Sequence, residues 1–168
     1  MPGGAIYVAG GDITLAGSYF EGNVTETWGG AIATENGSTS YSLITNSTFS
    51  NNVAGSGSRD AGFGGGAINV SATATVEVRN STFEGNRAGT TNPVPVGGAI
   101  RNAGTLVVVG STFTRNEANH DGGAIESRRS DGEARIYNSV FHGNVAGGGG
   151  SGGNGGGIAA TGGDLLVV

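Results

Sequence analysis

"NSTFEGN", residues 80–86, decides the fold because the chain writes nearly the same heptapeptide five times. The other copies are "GSYFEGN" (17–23), "NSTFSNN" (46–52), "GSTFTRN" (110–116) and "NSVFHGN" (138–144). A second motif alternates with it: "GGAI" stands at 3–6, 29–32, 65–68, 97–100 and 122–125, with "GGGI" at 155–158. Successive copies lie 25 to 36 residues apart, the spacing of a solenoid.

Aligning the copies on their Phe gives columns. Five residues before it stand Leu15, Ile44, Val78, Val108 and Ile136, and seven before it Ile13, Ser42, Val76, Leu106 and Ala134. That alternation is a strand with one buried face. Three before the Phe the residue is always Gly or Asn (Gly17, Asn46, Asn80, Gly110, Asn138), the types that tolerate positive φ, so a corner is expected there. Ser-x-Phe then forms a second strand, and GGAI a third with Ile6, Ile32, Ile68, Ile100, Ile125 and Ile158. The expected fold is an all-β, single-stranded parallel β-helix with three short strands per coil and five to six coils. It occupies residues 1–168 as one domain, with repeats starting near 3, 29, 65, 97, 122 and 155.

Stacking coils about 4.8 Å apart sets each inward side chain over its equivalent. Phe20, Phe49, Phe83, Phe113 and Phe141 are therefore expected to stack. Asn23, Asn52, Asn86, Asn116 and Asn144 are expected to form an amide ladder that satisfies backbone groups at a turn. The recurrence thus has a structural reason that needs no ligand.

Composition narrows the rest. Thirty-six glycines in 168 residues is about three times ordinary usage, without the G-X-Y period of collagen. Net charge is −5 and the eight cationic residues, all Arg, are scattered, which excludes a nucleic-acid surface. The absence of Cys removes disulfides and thiolate metal sites. No apolar run reaches the ~20 residues of a membrane span. "MPGGAIYV" lacks the charged n-region of a signal peptide and opens inside a repeat, so the chain reads as a portion of a longer repeat protein. The last residues, "DLLVV", lack a polar cap, and end-to-end stacking of copies into a filament is the second reading.

Alternating GGAI and FxxN motifs resemble the repeat of the polymorphic outer membrane proteins known from chlamydiae, over essentially the whole chain. The resemblance implies a right-handed parallel β-helix passenger, an extracellular or cell-surface location associated with the bacterial outer membrane, and an adhesive activity.

Parallel β-helices also house polysaccharide lyases and hydrolases, which need convergent Asp, Glu, Arg or His on an outer face. Arg101 and Glu126 share the outward column after the Ile, and a cross-coil ion pair is the reading preferred to an acid–base pair. His120 beside Asp121 reads as a surface turn, with His142 a coil later. The glycine-rich run at 147–157 lacks the Asp of calcium-binding nonapeptides and reads as a loop. No catalytic, cofactor-binding or metal-binding residue is assigned, and no cofactor. Sequons at Asn23, Asn36, Asn46, Asn69 and Asn80 fall largely on structural positions. Thr48, Thr82 and Thr112 form an outward column broken by Tyr19 and Val140, too short for an ice-ordering ladder.

Two features point to binding. The segments between FxxN and the next GGAI are 5, 12, 10, 5 and 10 residues long, which puts protruding loops along one edge. Outward apolar residues of the middle strand, foremost Val107, Val109 and Tyr137, suggest a face covered by a packing loop or another protein. Three functions follow in order: a non-catalytic structural or adhesive surface module, a filament subunit, and a polysaccharide-acting enzyme. The expected partners are neighbouring repeats or further copies, and a host protein or glycan.

Overall fold

In the computed structural model the described residues are 2–37, 39–56, 64–89, 95–128, 132–148 and 152–168, and they contain strands and no helix. Six strands open on the GGAI isoleucines: Ile6–Val8, Ile32–Thr34, Ile68–Val70, Ile100–Asn102, Ile125–Ser127 and Ile158–Ala160. They form one parallel sheet, the Ile sheet, with Ile over Ile throughout. A second six-stranded parallel sheet, the broad sheet, holds Ile13–Ala16, Ser40–Thr45, Ala74–Arg79, Thr105–Val109, Glu133–Tyr137 and Asp164–Val167. The Phe sheet holds Tyr19–Glu21, Thr48–Ser50, Thr82–Glu84, Thr112–Thr114 and Val140–His142. The result is a parallel β-solenoid of about five turns.

The three expected strands are joined by a fourth. Val53–Ala54, Arg87–Ala88, Glu117–Ala118 and Val145–Ala146 pair in parallel directly after FxxN. Two residues leave only one inward side chain, an Ala, so no alternation betrays this strand in the sequence.

Both corners of the Phe strand use left-handed backbone. The first has Asn46, Asn80 and Asn138 at φ 50, 49 and 47°, in line with Gly17 and Gly110. The second, unread in the sequence, aligns Gly22, Asn51, Gly85, Arg115 and Gly143 at φ 52–62°. The second glycine of GGAI has a different duty. A Cβ on Gly66 would lie 2.1 Å from Gly98 O and 2.5 Å from Arg87 N, so only a bare backbone lets adjoining strands approach this closely.

Inside, like residues lie over like. The five Phe rings stack with centroids 4.7–4.9 Å apart and planes within 7°. Ring spacing therefore equals strand spacing. Phe49, Phe83 and Phe113 are fully buried, together with Ile32, Ile68, Ile100 and Ile125. Ile6, Phe20, Phe141 and Ile158, on the outer coils, pack against that core while partly buried.

Beside the rings runs the amide ladder. Asn86 shows the pattern: its N and Nδ2 both donate to Asn116 Oδ1 at 3.0 Å, and Nδ2 also donates to Phe49 O at 3.0 Å. Its Oδ1 accepts from the N and Nδ2 of Asn52. Asn23, Asn52, Asn116 and Asn144 continue the chain of bonds. A serine ladder turns the first corner. The backbone N of Ser18, Ser47, Ser81 and Ser111 donates to the hydroxyl of the next coil's Ser at 3.1–3.2 Å. The hydroxyls of Ser47, Ser81 and Ser111 donate in turn to the carbonyl two residues back.

Two stability measurements check this reading. Phe83→Ala is expected to cost about 3–5 kcal/mol in urea unfolding, while outward Thr82→Ala stays within about 0.5 kcal/mol. Ser42 sits fully buried between Ile13 and Val76 in register, with its hydroxyl unpaired. Ser42→Val is therefore expected to stabilise by about 1–2 kcal/mol, removing an unsatisfied polar group and adding apolar contact.

Candidate functional site

Because the recurring residues point inward, any site lies on outward columns. Each sheet presents a different one.

Outward on the Ile sheet stand Tyr7, Ala33, Asn69, Arg101, Glu126 and Ala159, consecutive in register. Most of this column is covered: Ala33, Asn69, Glu126 and Ala159 are buried and Arg101 partly so. The expected Arg101–Glu126 ion pair does not form at contact distance. Arg101 Nη1 instead donates to Asn69 Oδ1 at 2.9 Å, on the preceding coil. Glu126 Oε1 accepts from Thr161 Oγ1 at 3.1 Å, while Oε2 and Arg101 Nε find no partner. Burial pushes the Glu126 pKa up to about 7, against the opposing pull of Arg101, the Thr161 hydroxyl and Arg128. Burial also lowers the pKa of Arg101.

A carboxyl titrating near neutrality suits general acid catalysis. Glu126, however, is only 1% exposed, and its chemistry is confined to the interior. Asp121, the acid that also acts on it, is occupied: its Oδ1 accepts from the N and Nδ2 of Asn154, and Oδ2 lies 2.9 Å from His120 Nδ1. Burial acts to raise the Asp121 pKa, but the Asn154 hydrogen bonds and the His120 contact outweigh it and hold the carboxyl low. His142 lies elsewhere, exposed on the Phe sheet in register with Thr114. Among the described residues no three His, Cys, Asp or Glu side chains gather as a metal site would require.

The Phe sheet shows the outward column Tyr19, Thr48, Thr82, Thr112, Val140, exposed at both ends. Beside it, Arg115 reaches across coils to pair with Glu84. The sequon residues Asn23, Asn46 and Asn80 sit in the ladder and the first corner, and Asn69 is buried. The variable segments that suggested protruding loops include 57–63, 90–94 and 149–151, which lie outside the described residues, as does that part of the glycine-rich run.

The broad sheet carries the widest open face. Its middle column runs Thr14, Leu43, Glu77, Val107, Arg135, Leu166. A flanking column runs Ala16, Thr45, Arg79, Val109, Tyr137. None of these residues is buried. Val107, Val109 and Tyr137 were expected under a loop or a partner; in the chain itself they remain partly exposed. Charges on this face pair within their own strands, Glu77 with Arg79 and Glu133 with Arg135.

Comparison with known families matches two segments, residues 17–35 and 110–128, to the Chlamydia polymorphic membrane protein repeat. No curated protein and no solved structure matches the chain. The matched segments run from FxxN to GGAI across the two 5-residue connections, 24–28 and 117–121. The other three connections, 53–64, 87–96 and 145–154, are 10–12 residues long, so an insertion interrupts the motif spacing there.

Glu126 makes stability depend on pH in a defined direction. Its folded-state pKa, about 7, lies above the ordinary 4.5, so the folded chain holds the proton more tightly. The resulting stabilisation is complete below pH ~4.5 and is lost as pH rises through ~7, up to about 3 kcal/mol. Urea unfolding as a function of pH is expected to show that loss, and Glu126→Gln, neutral throughout, is expected to abolish it.

Proposed function

We propose that this chain, a bearer of the Chlamydia polymorphic membrane protein repeat, is a non-catalytic β-helix module displayed at a cell surface or secreted, where it serves as scaffold and adhesin. One observation carries the reading. The residues that recur are consumed by internal ladders, whereas outward columns change character from coil to coil.

A surface of that kind recognises by a pattern spread over several coils rather than by a convergent pocket. The middle column of the broad sheet, passing from Thr14 through Leu43, Glu77, Val107 and Arg135 to Leu166, offers apolar, anionic and cationic groups in turn. Partly exposed Val and Tyr with polar neighbours suit a protein or glycan surface. The polysaccharide-enzyme reading has less support, because the carboxyl with a pKa suited to proton transfer is Glu126, enclosed in the fold.

The test is retention of cells and of a panel of matrix proteins and glycans on beads bearing the purified chain. Binding is expected, and it is expected to fall about tenfold or more when Val107, Val109 and Tyr137 are replaced together by Ser, with folding unchanged. Failure to retain any cell or panel member would overturn the adhesive reading. Release of reducing or unsaturated sugars from a polysaccharide panel would move the chain among the enzymes.

A further inference from the structure

We propose that the outer face of the broad sheet pairs with the same face of a second copy of this chain, the two solenoid axes running antiparallel. The inference stands on the column order of this face and not on the adhesive reading above.

The order of the middle column is nearly its own complement. Val107 lies on the fourth of six strands, with Glu77 one coil before it and Arg135 one coil after. Consider two copies face to face, related by a two-fold axis parallel to strand Thr105–Val109. The rotation reverses the order of coils and preserves position along the strand. Glu77 then meets Arg135 of the second copy, and Arg135 meets its Glu77. Val107 meets Val107, Val109 meets Val109, and Leu43 meets Leu166. In the flanking column Arg79 lies over the ring of Tyr137, the arrangement of a cation–π contact. Such an isologous interface makes every off-axis contact twice.

Other registers match the same columns less completely. Turning the copies so that the axes run parallel sets Glu77 over Glu77 and Arg135 over Arg135 when the two-fold lies on the middle column. Moved midway to the flanking column, it sets Glu77 over Arg79 but leaves Arg135 over Tyr137, with no acid opposite. Centring the two-fold on strand Ala74–Arg79 again opposes Glu77 to itself, and centring it on Glu133–Tyr137 opposes Arg135 to itself. Centring it between strands sets Glu77 and Arg135 against apolar residues. Like charges or unpaired charges desolvated at an interface are disfavoured, and the two-fold on Thr105–Val109 gives both Glu77 and Arg135 a partner of opposite sign.

The in-strand pairs extend the match. Arg79 flanks Glu77 and Glu133 flanks Arg135. In the proposed pair, signs alternate along the row: Glu133 and Arg135 of one copy, then Glu77 and Arg79 of the other. The footprint is modest. Five opposed strands at about 4.8 Å and five residues at about 3.3 Å give roughly 400 Å² per copy. That is about half of a standard interface side, which makes this a weak, reversible association.

Sedimentation velocity from micromolar to about millimolar chain tests it. Wild type is expected to show a monomer–dimer equilibrium. Glu77→Arg and Arg135→Glu, each alone, place like charges at both crossing points and are expected to weaken association about tenfold or more. In an equal mixture of the two variants, both crossing points of a mixed pair again bring opposite charges together. Association is therefore expected to return, as a dimer holding one copy of each variant. The proposal is overturned if wild type stays monomeric throughout, if either single reversal associates as wild type does, or if the mixture fails to associate. Particles larger than dimers would also overturn it, pointing to stacking along the solenoid axis.

A second measurement does not depend on the charges. The chain has no cysteine. A Val107→Cys variant, placed at the two-fold, is expected to cross-link to itself with a short bismaleimide, while Thr82→Cys on the neighbouring Phe sheet does not. Equal cross-linking of the two would reject the face.

Discussion

Parallel strands in a sheet can be spaced in only one way, because N–H···O geometry holds neighbouring backbones about 4.8 Å apart. In a solenoid that distance becomes the spacing between every inward side chain and its equivalent one coil on. The Phe centroids, 4.7–4.9 Å apart with nearly parallel planes, are this backbone constraint expressed in side chains. The same spacing lets one amide serve two coils. Asn86 and Asn116 are fully buried, yet their side-chain groups are bonded above and below. A position that stacks on itself rewards repetition, since a substituted residue mismatches two neighbours at once.

This constraint divides the chain into two classes of position. The inward Phe, Asn, Ser and Ile columns are held to one residue type by contact with copies of themselves, and the broad sheet's inward columns are mostly apolar. Outward positions answer to no such rule, and the broad sheet exploits it, carrying Thr, Leu, Glu, Val, Arg and Leu in a single column. The inner ladders make a rigid grid, and the grid fixes the outward side chains at known intervals. Recognition on such a surface is set by which residue stands at which node.

That division also explains what was legible beforehand. The Phe, Asn and Ile columns could be read because each recurs at a fixed offset and each demands a particular residue. So could the Gly/Asn corner, whose positive φ few side chains accept. The fourth strand could not: two residues, such as Val53–Ala54, carry no period. The second corner was obscured by Asn51 and Arg115, which adopt left-handed backbone beside three glycines. Glu126 was misjudged for a different reason. Its column is outward, and outward normally means wet; its burial, with Thr161 donating to its carboxylate, is a tertiary fact with no local signature. Arg101 turns to Asn69 on the preceding coil, and the anticipated ion pair is unmade.

Free choice at outward nodes is what permits a face to encode its own partner. On strand Ala74–Arg79 the ion pair occupies the middle and last outward nodes, as Glu77 and Arg79; on Glu133–Tyr137 it is shifted one node back, as Glu133 and Arg135. Had both pairs stood at the same nodes, the middle column would hold two charges of one sign, and the two-fold along strand Thr105–Val109 would bring them together. The one-node offset converts two self-contained ion pairs into a surface complementary to its own reverse. Each pair is satisfied in the isolated chain, so the face remains soluble, and self-association requires no charge to lose its existing partner. A solenoid can therefore set the direction and register of its contacts by offsetting charges on a flat sheet, without altering a residue that holds the coil together.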